Sequence, residues 1–209
     1  MGEDFHEESE SPEYGNIAAI AEDLVYRLPG CTDLMVRKTI RDVYRDFCRR
    51  TCVLKTRRKI EVVHGKSDYH LHAVHPGCMI DTVVEVRLNG RVVDVEGFDF
   101  CGGDFIRLER RDLPEEGEVY ELDVTCIEVP EIGSEVAPRL FVNRYGDAIV
   151  SGVLMRLMAM VGKPWSDEVQ AAQNARLYEN ALTENRAKYH AGGNLSTASL
   201  NFIKKGCVL

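Results

Sequence analysis

Long apolar runs are missing from this 209-residue chain. The best candidate, 149–161, is interrupted by Ser151, Gly152 and Arg156, so no segment approaches the ~20 apolar residues that a membrane-spanning helix needs. The N-terminal residues also lack the basic, apolar and small-residue order of a secretory signal. Two lipidation patterns fail in detail: His6 stands where a myristoylation motif has Ser or Thr, and Cys207 is third from the end instead of fourth. The seven cysteines are an odd number, which suits reduced thiols in a cytosolic compartment better than a disulfide framework. No glycine loop is built to cradle phosphate, because Gly162-Lys163 lacks both the upstream glycine and the following Ser or Thr. A Gly-x-Ser-x-Gly elbow and internal repeats are likewise missing. Positive charge is absent from residues 1–13, which hold Glu3, Asp4, Glu7, Glu8, Glu10 and Glu13. We read residues 1–15 as a flexible acidic arm.

What is present is ordinary for a globular protein: 44% hydrophobic and 29% charged residues. A net charge of −8 argues against a cationic nucleic-acid binder as a whole. The sign reverses only locally, through Arg49, Arg50, Lys55, Arg57, Arg58 and Lys59. This run is a candidate inter-subunit or phosphate-facing patch, with the acidic arm as one partner.

Helical periodicity is strongest from residue 139 onward. Phe141, Tyr145, Ile149, Val153 and Leu157 form one apolar row and Val142, Val150, Leu154 and Met158 a second, the pattern of a core helix. Gly162 and Pro164 end it, and Ser166 is the expected N-cap of a further helix carrying Ala171, Ala175, Tyr178 and Leu182. The short link predicts an antiparallel hairpin. Tyr145, Ile149, Leu157 and Trp165 are expected in its core and corner. Near the N-terminus, Asn16 can cap a helix running to about Arg27, Leu28-Pro29-Gly30 breaks it, and Thr32 or Asp33 caps a second helix ending near Thr51. Between the hairpins the period changes to two, predicting strands over 60–63, 69–72, 82–88, 91–95, 105–108 and 119–129. Asn89-Gly90 signals a type I′ hairpin.

Helices and strands that do not alternate predict an α+β fold. We expect a small helical bundle made of an N-terminal hairpin (16–53) and a C-terminal hairpin (138–190). Between them lies an inserted antiparallel β-sheet or barrel module (54–131). A flexible tail (191–209) follows, whose Leu195, Leu200, Phe202, Ile203, Val208 and Leu209 are candidates for docking on another subunit.

Chemistry-bearing residues are few. His70, His72, His75 and Cys78 form the best metal candidate, since His70 and His72 share one side of a strand. Their spacing fits no structural zinc pattern and no acidic general base is nearby, so solvent-facing histidines are the preferred reading. Cys48 and Cys52, four apart on a helix, read as small buried hydrophobes, and the Asp99-Phe-Cys101-Gly-Gly-Asp104 stretch as a tight turn. No catalytic residue, metal or cofactor is expected.

Four stretches together carry a family resemblance: Leu28-Pro29-Gly30-Cys31; Val43-Tyr-Arg-Asp-Phe-Cys-Arg-Arg-Thr51; Val86-Arg-Leu-Asn-Gly-Arg-Val92; and Arg144-Tyr-Gly-Asp-Ala-Ile149 leading to Gly162-Lys-Pro-Trp-Ser166. Over about residues 16–190 the chain resembles the head-to-tail connector, or adaptor, proteins of tailed bacteriophages, including those called tail tubular protein A. The resemblance implies a non-enzymatic ring, commonly of twelve subunits, assembled in the host cytoplasm and resident in the virion neck. Its partners would be other copies of itself, the portal above, a tail or nozzle protein below, and double-stranded DNA passing without sequence recognition. No membrane is involved. Three other classes remain open: another assembly protein, a metal-dependent enzyme using the histidines, and a nucleic-acid-binding regulator using the 49–59 patch.

Overall fold

The computed structural model describes residues 14–94, 97–101 and 104–191. The chain is α+β with antiparallel sheets. Strand β1 (Tyr14–Asn16) leads into a 3₁₀ turn, and α1 (Ala21–Val25) and α2 (Asp33–Thr51) follow. The β region comprises β2 (Lys55–Val63), β3 (Asp68–His70), β4 (Cys78–Leu88), β5 (Arg91–Val92), β6 (Phe98–Cys101), β7 (Phe105–Leu108) and β8 (Val119–Pro130). Strand β9 (Val136–Pro138) runs directly into α3 (Arg139–Met158), and α4 (Glu168–Ala191) closes the described chain. Among the described residues no helix is long and apolar enough to cross a membrane.

Local signals account for several element ends. Asn16 accepts from the Ala18 N–H at 2.7 Å and Thr32 from the Met35 N–H at 3.4 Å, satisfying N–H groups that a helix start leaves unpaired. Cys52 takes the left-handed conformation that terminates α2. Asn89 and Gly90 both have positive φ, 47° and 79°, as a type I′ turn requires, and they join β4 to β5. Ser166 is not the cap of α4. Its hydroxyl is drawn into the preceding corner, where it donates to the Met160 carbonyl and accepts from the Lys163 N–H. Asp167 caps instead, accepting from the Gln170 N–H at 2.9 Å.

Other departures have tertiary causes. Tyr14 and Gly15, expected in the acidic arm, pair with Pro138 and Ala137. The strand expected over 91–95 stops at Val92, and β6, β9 and β1 are too short for their period to be legible. The β region is not one continuous sheet. A four-stranded sheet of order β2-β8-β4-β5 and a three-stranded sheet of order β3-β7-β6 enclose one core, including Val62, Val124 and Cys126 from the first and Tyr69, Ile106 and Leu108 from the second.

A separate apolar core joins residues from both ends of the chain: Leu24, Ile40, Tyr44 and Phe47 with Phe141, Ile149, Leu157, Trp165 and Tyr178. Tyr145 is partly buried against it. Phe141 lies 4.9 Å from Tyr44 and 6.0 Å from Phe47, ring centre to ring centre, and Phe47 lies 5.2 Å from Tyr145 and 6.1 Å from Tyr178. Such tilted pairs add ~0.5–1.5 kcal/mol each beyond their buried area.

Gly152 lies at a close approach between α2, α3 and α4. A methyl group there would stand 2.6 Å from Val43 Cγ1 and 2.9 Å from Tyr178 Cε2, and both of those side chains are fully buried. Gly152→Ala gains roughly 1 kcal/mol of helix propensity, but forcing a packed core apart costs about 1–3 kcal/mol. The expected outcome is a net loss of stability. An unchanged or raised urea midpoint for this variant would show that the three helices can separate at little cost.

Candidate functional site

Glu128 is the most unusual group in the chain. Leu122, Val124 and Cys126 point into the β core, and the period-two alternation brings Glu128 next on that same face. Its side chain is fully buried, and an unpaired buried carboxylate would be prohibitively costly. Four donors meet it. The Thr56 hydroxyl and Val74 N–H donate to Oε1 at 2.8 and 2.6 Å, and the His75 N–H and ring Nδ1 donate to Oε2 at 3.0 and 2.8 Å. Burial pushes the carboxyl pKa upward, but the bonds from the His75 ring, the Val74 and His75 amides and Thr56 outweigh it and hold the pKa below the ordinary glutamate value.

This clasp sits at the seam of the two cores. Cys126, two residues earlier, belongs to the β core, whereas Cys78, which pairs with Pro130, belongs to the helical core. The Glu128 N–H donates to the Leu54 carbonyl at 2.9 Å, and Arg45 of α2 donates to the Pro130 carbonyl at 3.0 Å. Tyr14 meets the His75 ring edge-on at 6.3 Å. One carboxylate thereby ties β8, β2, the β3–β4 loop and, through His75, β1.

The expectation that no acidic general base lies near the histidines is therefore corrected at His75: Glu128 is distant in sequence and adjacent to it in space. The arrangement brings together an acid, an imidazole and, nearby, a thiol. Burial, then Glu128 and Glu131, push the Cys78 thiol up to about 12, so it is not the thiolate that nucleophilic or metal chemistry needs at neutral pH. With His75 turned to Glu128 and Cys78 in the helical core, the four-residue metal constellation is not assembled. Among the described residues no group of three or more His, Cys, Asp or Glu is placed to hold a metal ion. Cys48 is wholly buried in the helical core, and Cys52 forms the α2 cap without a disulfide to it.

The basic run 49–59 is not a single patch. Arg49 pairs with Asp81 at 2.8 Å and Arg50 with Glu179 at 2.8 Å, both from the end of α2. On β2, successive side chains alternate between faces. Arg57 and Lys59 lie on one face, bound to Asp123 and, at 2.9 Å, to Glu121. Arg58 lies on the other and donates to the His72 carbonyl at 2.6 Å. Lys55 stands over the Tyr189 ring at 5.3 Å. The shallow concavity of about 400 Å³ on the Arg57 face also includes Glu85 and Arg87, so its charge is mixed. The docking residues Leu195, Leu200, Phe202, Ile203, Val208 and Leu209 lie outside the described residues.

No protein-family model and no curated protein matches this chain. Function has to be argued from the residues and their arrangement.

Sequence reading overlooked Glu128, although it occupies an inward position of the clearest strand. It overlooked Asp46 as well, which accepts from the Tyr178 hydroxyl at 2.9 Å and faces Arg156 at 3.5 Å and Arg50 at 3.8 Å. Nothing in the local sequence announces that second cluster, because its members come from α2, α3 and α4.

Glu128→Gln replaces one acceptor oxygen by a donor facing donors, and should cost about 2 kcal/mol or more. The folded-state pKa of Glu128 is lowered, so its contribution is fully present above the ordinary glutamate range and is lost as pH falls through that range toward the folded value. Wild type should therefore lose stability on acidification more steeply than Glu128→Gln. Parallel pH–stability curves for the two would refute the clasp.

Proposed function

We propose that this chain is a subunit of a tailed-bacteriophage head-to-tail connector: a non-enzymatic ring, commonly of twelve copies, in the virion neck between the portal and a tail or nozzle protein, surrounding double-stranded DNA. In this reading the N-terminal helices (16–53) and the C-terminal hairpin (138–190) make one bundle, with the β module (54–131) inserted between them. The observation that carries it is the convergence of three of the sequence motifs behind the resemblance. Gly30 and Pro164 abut, a methyl at Gly30 standing 3.8 Å from the Pro164 side chain. Phe47 of the second motif packs on Tyr145 of the last, and Trp165 closes the corner. Matches that are far apart in sequence thus form one structural unit.

Electrostatics supports the same reading. The net charge is −8 and each cation of the basic run is engaged within the chain. A ring of such subunits would let a duplex slide where a free cationic groove would hold it. The terminal segment 191–209 is assigned to docking on the portal or an adjacent protomer.

Sedimentation of the purified protein, alone and mixed with its candidate portal ring, tests the proposal. A fast-sedimenting complex of fixed stoichiometry is expected, and a small species that ignores the portal would overturn it. Deleting residues 191–209 should abolish that association; undiminished portal binding would remove the docking role.

A further inference from the structure

With His75 and Cys78 drawn away, His70 and His72 remain as a pair, both solvent-exposed. Their rings lie parallel to within 10° with centres 5.0 Å apart. The backbone between them is held from three directions. Leu71 is buried in the β core and its N–H donates to the Asp104 carbonyl at 2.7 Å. Strand β3 registers His70 opposite Phe105, and the His70 ring lies 3.7 Å from the Phe105 ring, centre to centre. The His72 carbonyl accepts from Arg58.

From this geometry we propose that His70 and His72 form a two-imidazole surface site for a divalent late first-row transition ion: zinc, nickel or copper. Imidazole nitrogen suits these ions. Two bonds of ~2.0–2.1 Å at one ion place the ligating nitrogens roughly 3 Å apart, so the two stacked rings must rotate about their side-chain bonds to converge on the ion. The held backbone leaves only side-chain rotamers to be ordered on binding, which lowers its entropic cost. The neighbouring carboxylate on the same strand face, Asp68, is occupied by Arg107 at 2.6 and 3.3 Å, so two protein ligands are supplied and water completes the coordination. The site stands independently of the connector assignment.

Calorimetric titration of the full-length protein with zinc chloride and with nickel chloride tests it. One ion per chain is expected. His70→Asn and His72→Asn should each weaken binding roughly tenfold or more, since a single imidazole loses the effective concentration of the pair. A His6→Asn/His190→Asn double variant should bind as wild type does. No binding at millimolar metal, or binding that survives in His70→Asn and His72→Asn, overturns the proposal. As a check that needs no variant, substoichiometric nickel should broaden the imidazole proton resonances of His70 and His72 ahead of the other histidines; broadening confined to other histidines overturns it equally.

Discussion

The structure depends on the satisfaction of one buried charge. Glu128 accepts four hydrogen bonds from two separate segments, Thr56 of β2 and the 74–75 loop, both brought to it only by tertiary folding. A buried carboxylate left with any of these bonds missing would be strongly destabilising, so the clasp tolerates little displacement of its donors. Because it lies where β8 leaves the β core, it couples the placement of the β3–β4 loop to that of the strands beside the helices. An apolar side chain at this position could fill the space. It would place no comparable demand on the loop.

The helical part obeys a different constraint, that of close packing. Val43, Gly152 and Tyr178 bring three helices together at a position where only a glycine leaves room. Around this contact Tyr44, Phe47, Phe141 and Tyr145 form an aromatic cluster whose members are separated by about a hundred residues of sequence. Beside it, Asp46 receives the Tyr178 hydroxyl, so the one polar group of that buried ring is paired. The two ends of the chain thus share one core, and the β region leaves and re-enters it through β2 and β8.

Charge is handled by local neutralisation. Arg57 and Lys59 meet carboxylates of β8, Arg49 and Arg50 meet acids of β4 and α4, and Glu135 receives Arg41 at 3.2 Å. Exposed pairs of this kind add little to stability. Their larger consequence is for partners, since cations engaged within the chain are less available to grip phosphate. That property, with the meeting of the resemblance motifs in one helical unit, is what supports the proposed structural ring around DNA over a nucleic-acid-gripping regulator.

By itself the sequence determined the α+β class, the two long C-terminal helices, α2 with its start at Thr32 or Asp33, and the Asn89-Gly90 hairpin. Each follows from residues within a few positions of one another, through periodicity, capping or positive φ. Part of the site was legible too: alternation along β8 puts Glu128 inward, and alternation around Leu71 puts His70 and His72 on one side. Tertiary structure alone decided what those groups meet. Glu128 found His75, Thr56 and Val74, and the run of six cations was dispersed because successive strand residues face opposite ways and acids arrive from β8 and α4. Short strands such as β1 and β9 also escaped, since three residues show no period and their pairing comes from a partner more than a hundred residues away. Local pattern encodes which face a residue takes; only the folded chain decides what stands opposite it.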